Sequence, residues 1–461
     1  MIKVIIVGGG VVGCAVAREL SRYDCQLSVL ERSFDVSEGT SKANSGIVHA
    51  GFDAKPNTLK AKYNVLGNKM FDRLAKELEF SFCRNGAFVV CFNEQDLPHL
   101  IKLKDQGEYN GVEGLEIISG EQARQKEPKL SKDVVYALVA PTSGIVSPYE
   151  MTLAYAENAH DNGVKFCLGA NVTAIKKTQD GFCITASGKN YNADVIINCA
   201  GVYADEISAM VNETPVFTIT PRKGEYMLLD KECEALVERT VFRLPTNMGK
   251  GVLVTKTTHG NVLVGPTSVD IMDKEDVKTT PEGLETLWQQ GVLLVPTLDR
   301  NQKITQFAGN RAHGSTGDFV VGWAQKGFFN LGAIESPGLT SAPALAVYTA
   351  QEIATQYDLQ PNKNFNPKRK DIPHLANLSQ NQREQLIAQN SSYAKIICKC
   401  EFVSEGEIRD SIRRPLGAKS LDGVKRRTRA GMGRCQNCFC GQKILQILSQ
   451  ELNVDVKDIP N

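Results

Sequence analysis

The chain has 461 residues, 42% of them hydrophobic, and its 53 lysines and arginines nearly balance 52 aspartates and glutamates for a formal net charge of +1. That length suggests about three folded units at roughly 150 residues each. The balanced charge leaves no whole-chain field for nucleic acid or an anionic membrane, no run approaches ~18 unbroken apolar residues, and collagen-like, disordered and membrane-spanning classes are set aside. At the N-terminus, MIKVIIVGGGVVGCAVARELSRY, the apolar run Val4 to Val7 is cut short by glycines. It is too short for a secretory signal and predicts a buried strand followed by a helix. QLSVL predicts a second strand ending at Glu31, and strand-like and helix-like segments alternate to about residue 80. Segments 86–92, 223–229 and 251–265 predict strands, the last with a turn at His259-Gly260-Asn261. From 144 to 212 the alternation returns: a helix in MTLAYAENAHDNG, a strand in NVTAIKK, then ADVIINCAGVYADEISAM. Residues 307–355 predict a strand, a glycine-rich turn and a helix in APALAVYTAQEIATQY. Residues 359–393 are polar, with Pro361, Pro367, Pro373 and the basic run 368–370, and read as a linker that wraps or tethers. Residues 394–450 have their own hydrophobic pattern, and no repeat or low-complexity tract is present.

Gly8, Gly10 and Gly13 form G-x-G-x-x-G between the first strand and its helix. Gly8 permits a tight turn, Gly10 lets backbone approach a pyrophosphate, and Gly13 lets the helix pack closely on the strand. The helix N-terminus then faces the phosphate charge. Glu31, eighteen residues past Gly13, stands where a carboxylate accepts from ribose hydroxyls. Strand, turn, helix, second strand and terminal acid at this spacing point to an adenine dinucleotide.

The segment TSKANSGIVHAGF (40–52) decides between nicotinamide and flavin. With KPNTLKAKYNVLGN after it, the sequence resembles the D-amino-acid oxidase-like FAD-dependent oxidoreductases. Within them it is most similar to the flavin glycerol-3-phosphate dehydrogenases and oxidases and to the L-2-hydroxyglutarate dehydrogenases. INCAGVYAD (197–205) resembles the second FAD segment of that family, AGNRAHG (308–314) its substrate-arginine motif and IESPGLTSAPALA (334–346) its flavin-ring segment. The resemblance spans essentially residues 1–355 and implies FAD as cofactor. It carries the flavin contacts onto Gly8, Gly10, Gly13, Glu31 and Arg32, then onto Thr40, Ser41, Asn44 and Ser45. Val172, Ala200 and Gly201 follow, and Ser336, Gly338, Leu339 and Thr340 close the set. ESPGLTSAPA opens a helix whose free backbone N–H groups suit the electron-rich end of a reduced flavin.

Oxidation of an alcohol by a flavin needs a base for the O–H proton while hydride leaves carbon. His49 is the candidate, one of only six histidines in the chain, and a histidine titrates near neutrality. In the resembling oxidases the matching histidine is the base, and the serine four residues earlier, Ser45 here, contacts flavin or substrate. An anionic substrate needs cations. Arg311 is the first choice, because a guanidinium binds carboxylate or phosphate bidentately. Lys256, in the apolar and threonine-rich VLVTKTT, is the second, since a buried strand lysine needs a partner charge. Arg222, Lys223 and Arg243 are weaker candidates.

Of thirteen cysteines, eight are scattered through residues 14–233 and read as reduced thiols packed as small hydrophobes. The other five fall between 398 and 440. Cys398-x-Cys400, then Cys435-Gln-Asn-Cys438-Phe-Cys440, point to zinc or an iron–sulfur cluster rather than disulfides. The segment ICKCEFVSEGEIRDSI…GVKRRTRAGMGRCQNCFCG resembles the bacterioferritin-associated-ferredoxin-like domain, which implies a 2Fe–2S cluster on Cys398, Cys400 and Cys435, with Cys438 or Cys440 as the fourth ligand. The basic stretch 425–429 complements an anionic cluster or is a solvated helix face.

The expected architecture is α/β: a Rossmann-like FAD-binding domain (1–80, 144–214, 306–358), a β-rich substrate domain (81–143, 215–305), a linker (359–393) and a small helical 2Fe–2S domain (394–461). The expected activity is oxidation of sn-glycerol 3-phosphate to dihydroxyacetone phosphate, with electrons leaving through the cluster to partner subunits or a quinone-linked acceptor. L-2-hydroxyglutarate or another 2-hydroxy or amino acid is the alternative substrate. A cytoplasmic protein, peripheral to a membrane through partners at most, is expected.

Overall fold

A computed structural model describes residues 1–212, 215–245 and 251–460, so the expected domain ends at 214 and 461 lie outside the described residues. The first strand, Lys3–Val7, is buried from Val4 to Val7 because it lies inside a sheet covered on both faces. Six strands form that sheet, in the order 320–325, 328–332, 195–198, 3–7, 26–31, 165–168. Ile6 pairs with Val29 on one side and with Ile197 on the other, all in parallel. Only Val320–Gln325 runs antiparallel, at the edge. Helices Val11–Leu20, Pro148–Asp161 and Gly338–Gln356 bury their apolar sides against one face. A three-stranded sheet, Val172–Thr178, Gly181–Ala186 and Lys189–Ala193, covers the other. The helix–strand alternation read from the sequence is therefore the parallel layer that places loops 8–10, 32–45 and 199–201 at one edge.

The β-rich part is a larger sheet. Its centre is Ile219–Leu229, eleven residues rather than the seven expected, paired along its length with Lys303–Gly314. Leu253–Lys256 and Val262–Gly265 form the expected hairpin beside it, and Thr240–Arg243 joins it to Ala87–Cys91. Helix Pro281–Leu294 covers one face through Leu284, Leu287 and Leu294.

Residues 359–393 are not a bare tether. Gln360 and Arg22 carbonyls receive the N–H groups of Asp24 and Asn362, and Arg369 donates to Glu157 at 2.5 Å and to the Leu78 carbonyl at 2.8 Å. The segment is thus a strap on the flavin layer, ending in an unexpected helix, Gln380–Gln389. Ser379 and Gln382 make its capping box, and it buries no residue, so it has no hydrophobic period to read. The C-terminal unit packs helices Glu405–Arg413, Leu421–Thr428 and Gly441–Leu452 around Ile408, Val424, Ile444 and Leu448. It sits on the flavin layer through ion pairs. Arg427 grips Asp35 through two bonds of 2.6 and 2.8 Å, Arg426 reaches Asp35 at 2.7 Å and Glu38 at 2.5 Å, and Arg414 reaches Glu157 at 2.5 Å. The basic stretch is not a solvated face: Arg426 and Arg427 are buried against the parallel-sheet layer.

Candidate active site

The glycine turn is packed backbone on backbone. Gly8 has φ of +111°, and a Cβ there would meet the Cys199 carbonyl oxygen at 2.4 Å; one on Gly13 would meet the Gly8 carbonyl oxygen at 2.0 Å. Gly10 is the N-cap of Val11–Leu20 and has no side chain of its own to cap that helix. Val11 N–H donates to Ser41 Oγ at 2.9 Å, and a Cβ on Gly10 would lie 3.1 Å from the same oxygen. Any side chain at Gly10 therefore fills the space where a pyrophosphate approaches the helix. Glu31 Oε2 accepts from Gly9 N–H at 2.6 Å and Oε1 from Ser33 N–H at 2.8 Å. Each oxygen retains a further lone pair for ribose hydroxyls.

A cleft open to solvent runs from this turn into the β-rich part. Gly10, Thr40, Ser41, Asn44, Ser45, Gly201, Ser336, Gly338 and Leu339 line it, as do His49 and Arg311. Thr40 Oγ1 donates to the Asn310 carbonyl at 2.6 Å, joining the flavin-side loop to the strand that bears Arg311. Gly201 has φ of +59° with open space where a Cβ would lie. The far wall is the N-terminus of helix Gly338–Gln356, which no side chain caps. The glycine cradle at one end and the open helix N-terminus at the other fit an extended dinucleotide.

His49 is held by its backbone. Its N–H donates to Thr340 Oγ1 at 3.0 Å, and its carbonyl accepts from Asn64 and Asn68 at 3.0 and 2.9 Å. Its Nε2 lies 3.5 Å from Ser336 Oγ, and its ring centroid is 6.1 Å from that of Phe242. Thr340 therefore positions His49 rather than lining the cleft. Arg311 donates through Nε to the Arg222 carbonyl at 3.2 Å and through Nη2 to the Thr267 carbonyl at 2.7 Å. These bonds fix the guanidinium plane and leave Nη1 without a partner among the described residues. Glu335, also in the lining, accepts from Lys60 at 2.7 Å and from His313 at 3.0 Å. Burial works to raise its pKa, but the bonds from Lys60 and His313 hold it below the ordinary carboxylate value.

Three expected residues stand elsewhere. Lys256 is outside the cleft, 2.6 Å from Glu238. Strand side chains alternate, and Leu253 lines the cleft while Val254 packs under helix Pro281–Leu294, so Lys256 shares the far face with Val254. Arg32 is half-exposed, pairs with Glu275 at 2.6 Å and stacks on Tyr203 at 4.5 Å. Val172 packs in the core beneath the three-stranded sheet. Arg222 and Lys223 are engaged by Asp270 and Asp276. Arg243, a weaker candidate in the sequence, borders the cleft, but it shares the strand face of Val241 and its guanidinium bonds Gln290 of helix Pro281–Leu294 at 2.6 Å. Phe242, Tyr226, Thr267 and Asp53 also line the cleft and carry no motif that could have announced them.

In the C-terminal unit the late cysteines fall into two pairs. Cys400 Sγ donates to Cys435 Sγ at 3.7 Å. Cys398 and Cys440 are both buried and touch through their thiols, and Cys438 is exposed. Burial raises the Cys440 thiol to about 12, with Cys398 adding to the effect. At Cys435 burial is opposed by the Phe439 N–H, the Cys400 thiol and the N–H groups of Asn437 and Cys438, which together pull the thiol below its ordinary value. Gln436 and Asn437 have φ of 45° and 76°, the turn that aims those N–H groups at sulfur. No three His, Cys, Asp or Glu side chains converge on one point among the described residues. Two thiol pairs beside a backbone nest fit a cluster of two irons, which takes two thiolates each. Of the scattered cysteines, Cys14, Cys91, Cys199 and Cys233 are buried, and burial raises each thiol, as expected for inert side chains.

Fold and cleft together define a flavin-dependent oxidoreductase. Residues 3–352 match the family described as FAD dependent oxidoreductase, and residues 396–450 match the BFD-like [2Fe-2S] binding domain. The chain belongs to the FAD dependent oxidoreductase family and carries a BFD-like [2Fe-2S] domain behind it; FAD and a 2Fe–2S cluster are its cofactors. It is similar to glycerol 3-phosphate dehydrogenase of Caloramator mitchellensis, 45% identical over 464 residues, covering 100% of this chain and 96% of that one. It is 34% identical over 372 residues to glycerol 3-phosphate oxidase of Mycoplasma pneumoniae, covering 78% of this chain and 97% of that one. The dithionite-reduced L-α-glycerophosphate oxidase of Mycoplasma pneumoniae with FAD bound superposes with a TM-score of 0.76 at 34% identity, over 81% of this chain and 100% of that one. A glycerol-3-phosphate dehydrogenase of Bacillus halodurans, at 14% identity and a TM-score of 0.73, shares the fold over 99% of this chain and 92% of that one.

Proposed function

We propose that the chain oxidises the CH–OH group of sn-glycerol 3-phosphate to dihydroxyacetone phosphate and that electrons leave through the C-terminal cluster. The observation that carries this reading is the similarity along the full chain, C-terminal unit included, to a relative named glycerol 3-phosphate dehydrogenase. FAD, when bound, supplies the hydride acceptor. His49 takes the hydroxyl proton, and Ser336, 3.5 Å from its Nε2, shares that proton in a hydrogen bond. Arg311, in the lining, holds the phosphate dianion through the guanidinium edge its carbonyl bonds leave open. The apolar wall of Phe242, Leu253 and Leu331 excludes water from the carbon that loses hydride. A 2Fe–2S cluster accepts single electrons, which hydride chemistry alone does not need, and Cys398, Cys400, Cys435 and Cys440 would hold it. A quinone-linked acceptor or partner subunits would take the electrons onward.

Relatives named L-2-hydroxyglutarate dehydrogenase are 27–31% identical over 59–77% of this chain, and a hydroxy acid would use the same arginine. Anaerobic bleaching of the flavin across a panel of glycerol phosphates and 2-hydroxy acids separates the two. The expected result is fast bleaching by sn-glycerol 3-phosphate alone. Fast bleaching by L-2-hydroxyglutarate and none by glycerol 3-phosphate would overturn the assignment.

A further inference from the structure

The flavin cleft and the paired thiols lie in separately packed units, and most contacts between those units are ion pairs on the flavin layer, remote from sulfur in the chain. One contact differs. Ser45 and Ile47 line the cleft, and the Gly46 carbonyl between them accepts the N–H of Val146 at 2.8 Å. Ile47 pairs with Ile145, and a Cβ on Gly46 would touch the Val146 carbonyl at 2.4 Å, so the two segments are in close backbone contact. From Val146 the chain passes through Ser147 and Pro148 to Tyr149, at the start of helix Pro148–Asp161. The Tyr149 hydroxyl donates to Met432 Sδ at 3.5 Å. Met432 precedes Gly433, whose added Cβ would lie 2.4 Å from Cys400 Cβ, and Cys435 follows two residues later.

The contact is held in place from both units. Arg429 donates through Nη1 to the Tyr149 hydroxyl at 3.1 Å, through Nη2 to Asn261 at 3.0 Å and through Nε to Glu401, the neighbour of Cys400, at 2.8 Å. Asn261 in turn donates to the Leu229 carbonyl at 3.0 Å. One guanidinium thus fixes the phenol, the β-rich sheet and the cysteine loop together. Gln436 donates to the Met432 carbonyl at 3.1 Å and sets the loop that carries Cys435. The other links near the thiols, Lys231 with Glu401 at 2.7 Å and Arg434 with Asp230 at 3.0 Å, are ion pairs.

We propose that the Tyr149–Met432 contact is the electron crossing between the flavin cleft and the C-terminal thiols. This rests on the reading that the cluster is the electron outlet. Reduced flavin carries two electrons. One crosses to the oxidised cluster, lowering it by one charge; the second crosses after an external one-electron acceptor has reoxidised the cluster. The flavin's protons leave to solvent. Tyr149 and Met432 are neither oxidised nor reduced overall and form no bond; the phenol and the polarisable thioether bridge the gap.

The test uses the holoenzyme, with flavin reduced by a laser flash in the presence of deazariboflavin so that substrate oxidation does not limit the signal. Cluster reduction is followed by absorbance and by freeze-quench EPR. Tyr149→Phe keeps the ring and removes the hydroxyl; Met432→Leu keeps the volume and removes sulfur. Both should slow cluster reduction about tenfold or more, the scale on which outer partners of a metal site act. Iron content, cluster potential and flavin bleaching by substrate should stay at wild-type values. The double variant should be no slower than the worse single one, since both remove the same contact. Arg434→Gln is the control expected to transfer at the wild-type rate. Wild-type transfer in both Tyr149→Phe and Met432→Leu would overturn the crossing and leave the outlet reading intact. A wild-type cluster that stays oxidised beside reduced flavin would instead overturn the outlet reading.

Discussion

The flavin cleft and the cysteine unit solve the same problem, holding a redox group, by opposite means. The cleft draws Gly10, Ser41, His49, Arg311 and Ser336 from segments spread over more than three hundred residues, and only sheet pairing brings them together. The cysteine unit gathers its thiols within 43 residues, through one hairpin and the start of one helix. A dispersed site depends on the whole fold and can present cations and a base at chosen distances. A local site needs little more than a loop with the right turn.

The largest effects should come from breaking one site and watching the other. Gly10→Val should abolish flavin retention, because its side chain fills the pyrophosphate approach, while iron is kept; purification with a full flavin complement would refute the cradle. Cys435→Ser should remove the cluster while substrate still bleaches FAD, read by iron and sulfide analysis and EPR. Of the disputed pair, Cys440→Ser should lose iron and Cys438→Ser keep it, because Cys440 is buried against Cys398 and Cys438 faces solvent. Stoichiometric zinc after anaerobic preparation would make the unit structural.

Next in size, His49→Gln should slow flavin reduction by roughly 10²–10⁴-fold with FAD retained, and a loss below fivefold at the optimum pH would remove His49 from the role. Arg311→Ala should raise the substrate KM by about ten- to a hundredfold, the worth of a charged hydrogen bond. Lys256→Ala should leave KM within about twofold, as for a surface pair. A Lys256 effect matching that of Arg311 would contradict the strand face assigned above.

The smallest expected effect is a pH dependence at the strap. Burial disfavours charge on His374, but Asp371 and Glu407, with Glu150 adding a weaker attraction, raise its pKa from 6.5 to about 10. A raised folded-state value means that its stabilisation is complete below the ordinary histidine value and fades as pH climbs toward 10. Thermal stability should therefore decline from neutral to alkaline pH, and His374→Gln should flatten that slope. An unchanged slope in the variant would assign it to other groups.

Local chemistry was legible without coordinates. The glycine turn, Glu31 and the clustered cysteines are read from spacing because each belongs to one short piece of chain, and the segment around His49 from its resemblance to a family. The same holds for the first strand and its helix, whose apolar period is unbroken. Faces and partners were not legible. Whether Lys256 reaches the cleft depends on which side of a strand is covered, and helix Pro281–Leu294 decides that from another part of the chain. Helix Gln380–Gln389 left no period because it buries nothing. The basic stretch 425–429 was ambiguous because its partners, Asp35 and Glu38, lie almost four hundred residues away. The sequence by itself determined which residues could do flavin and thiolate chemistry, since that follows from residue type and near spacing. Only the tertiary structure decided which of them meet, because burial and charge pairing are set by residues far apart in the chain.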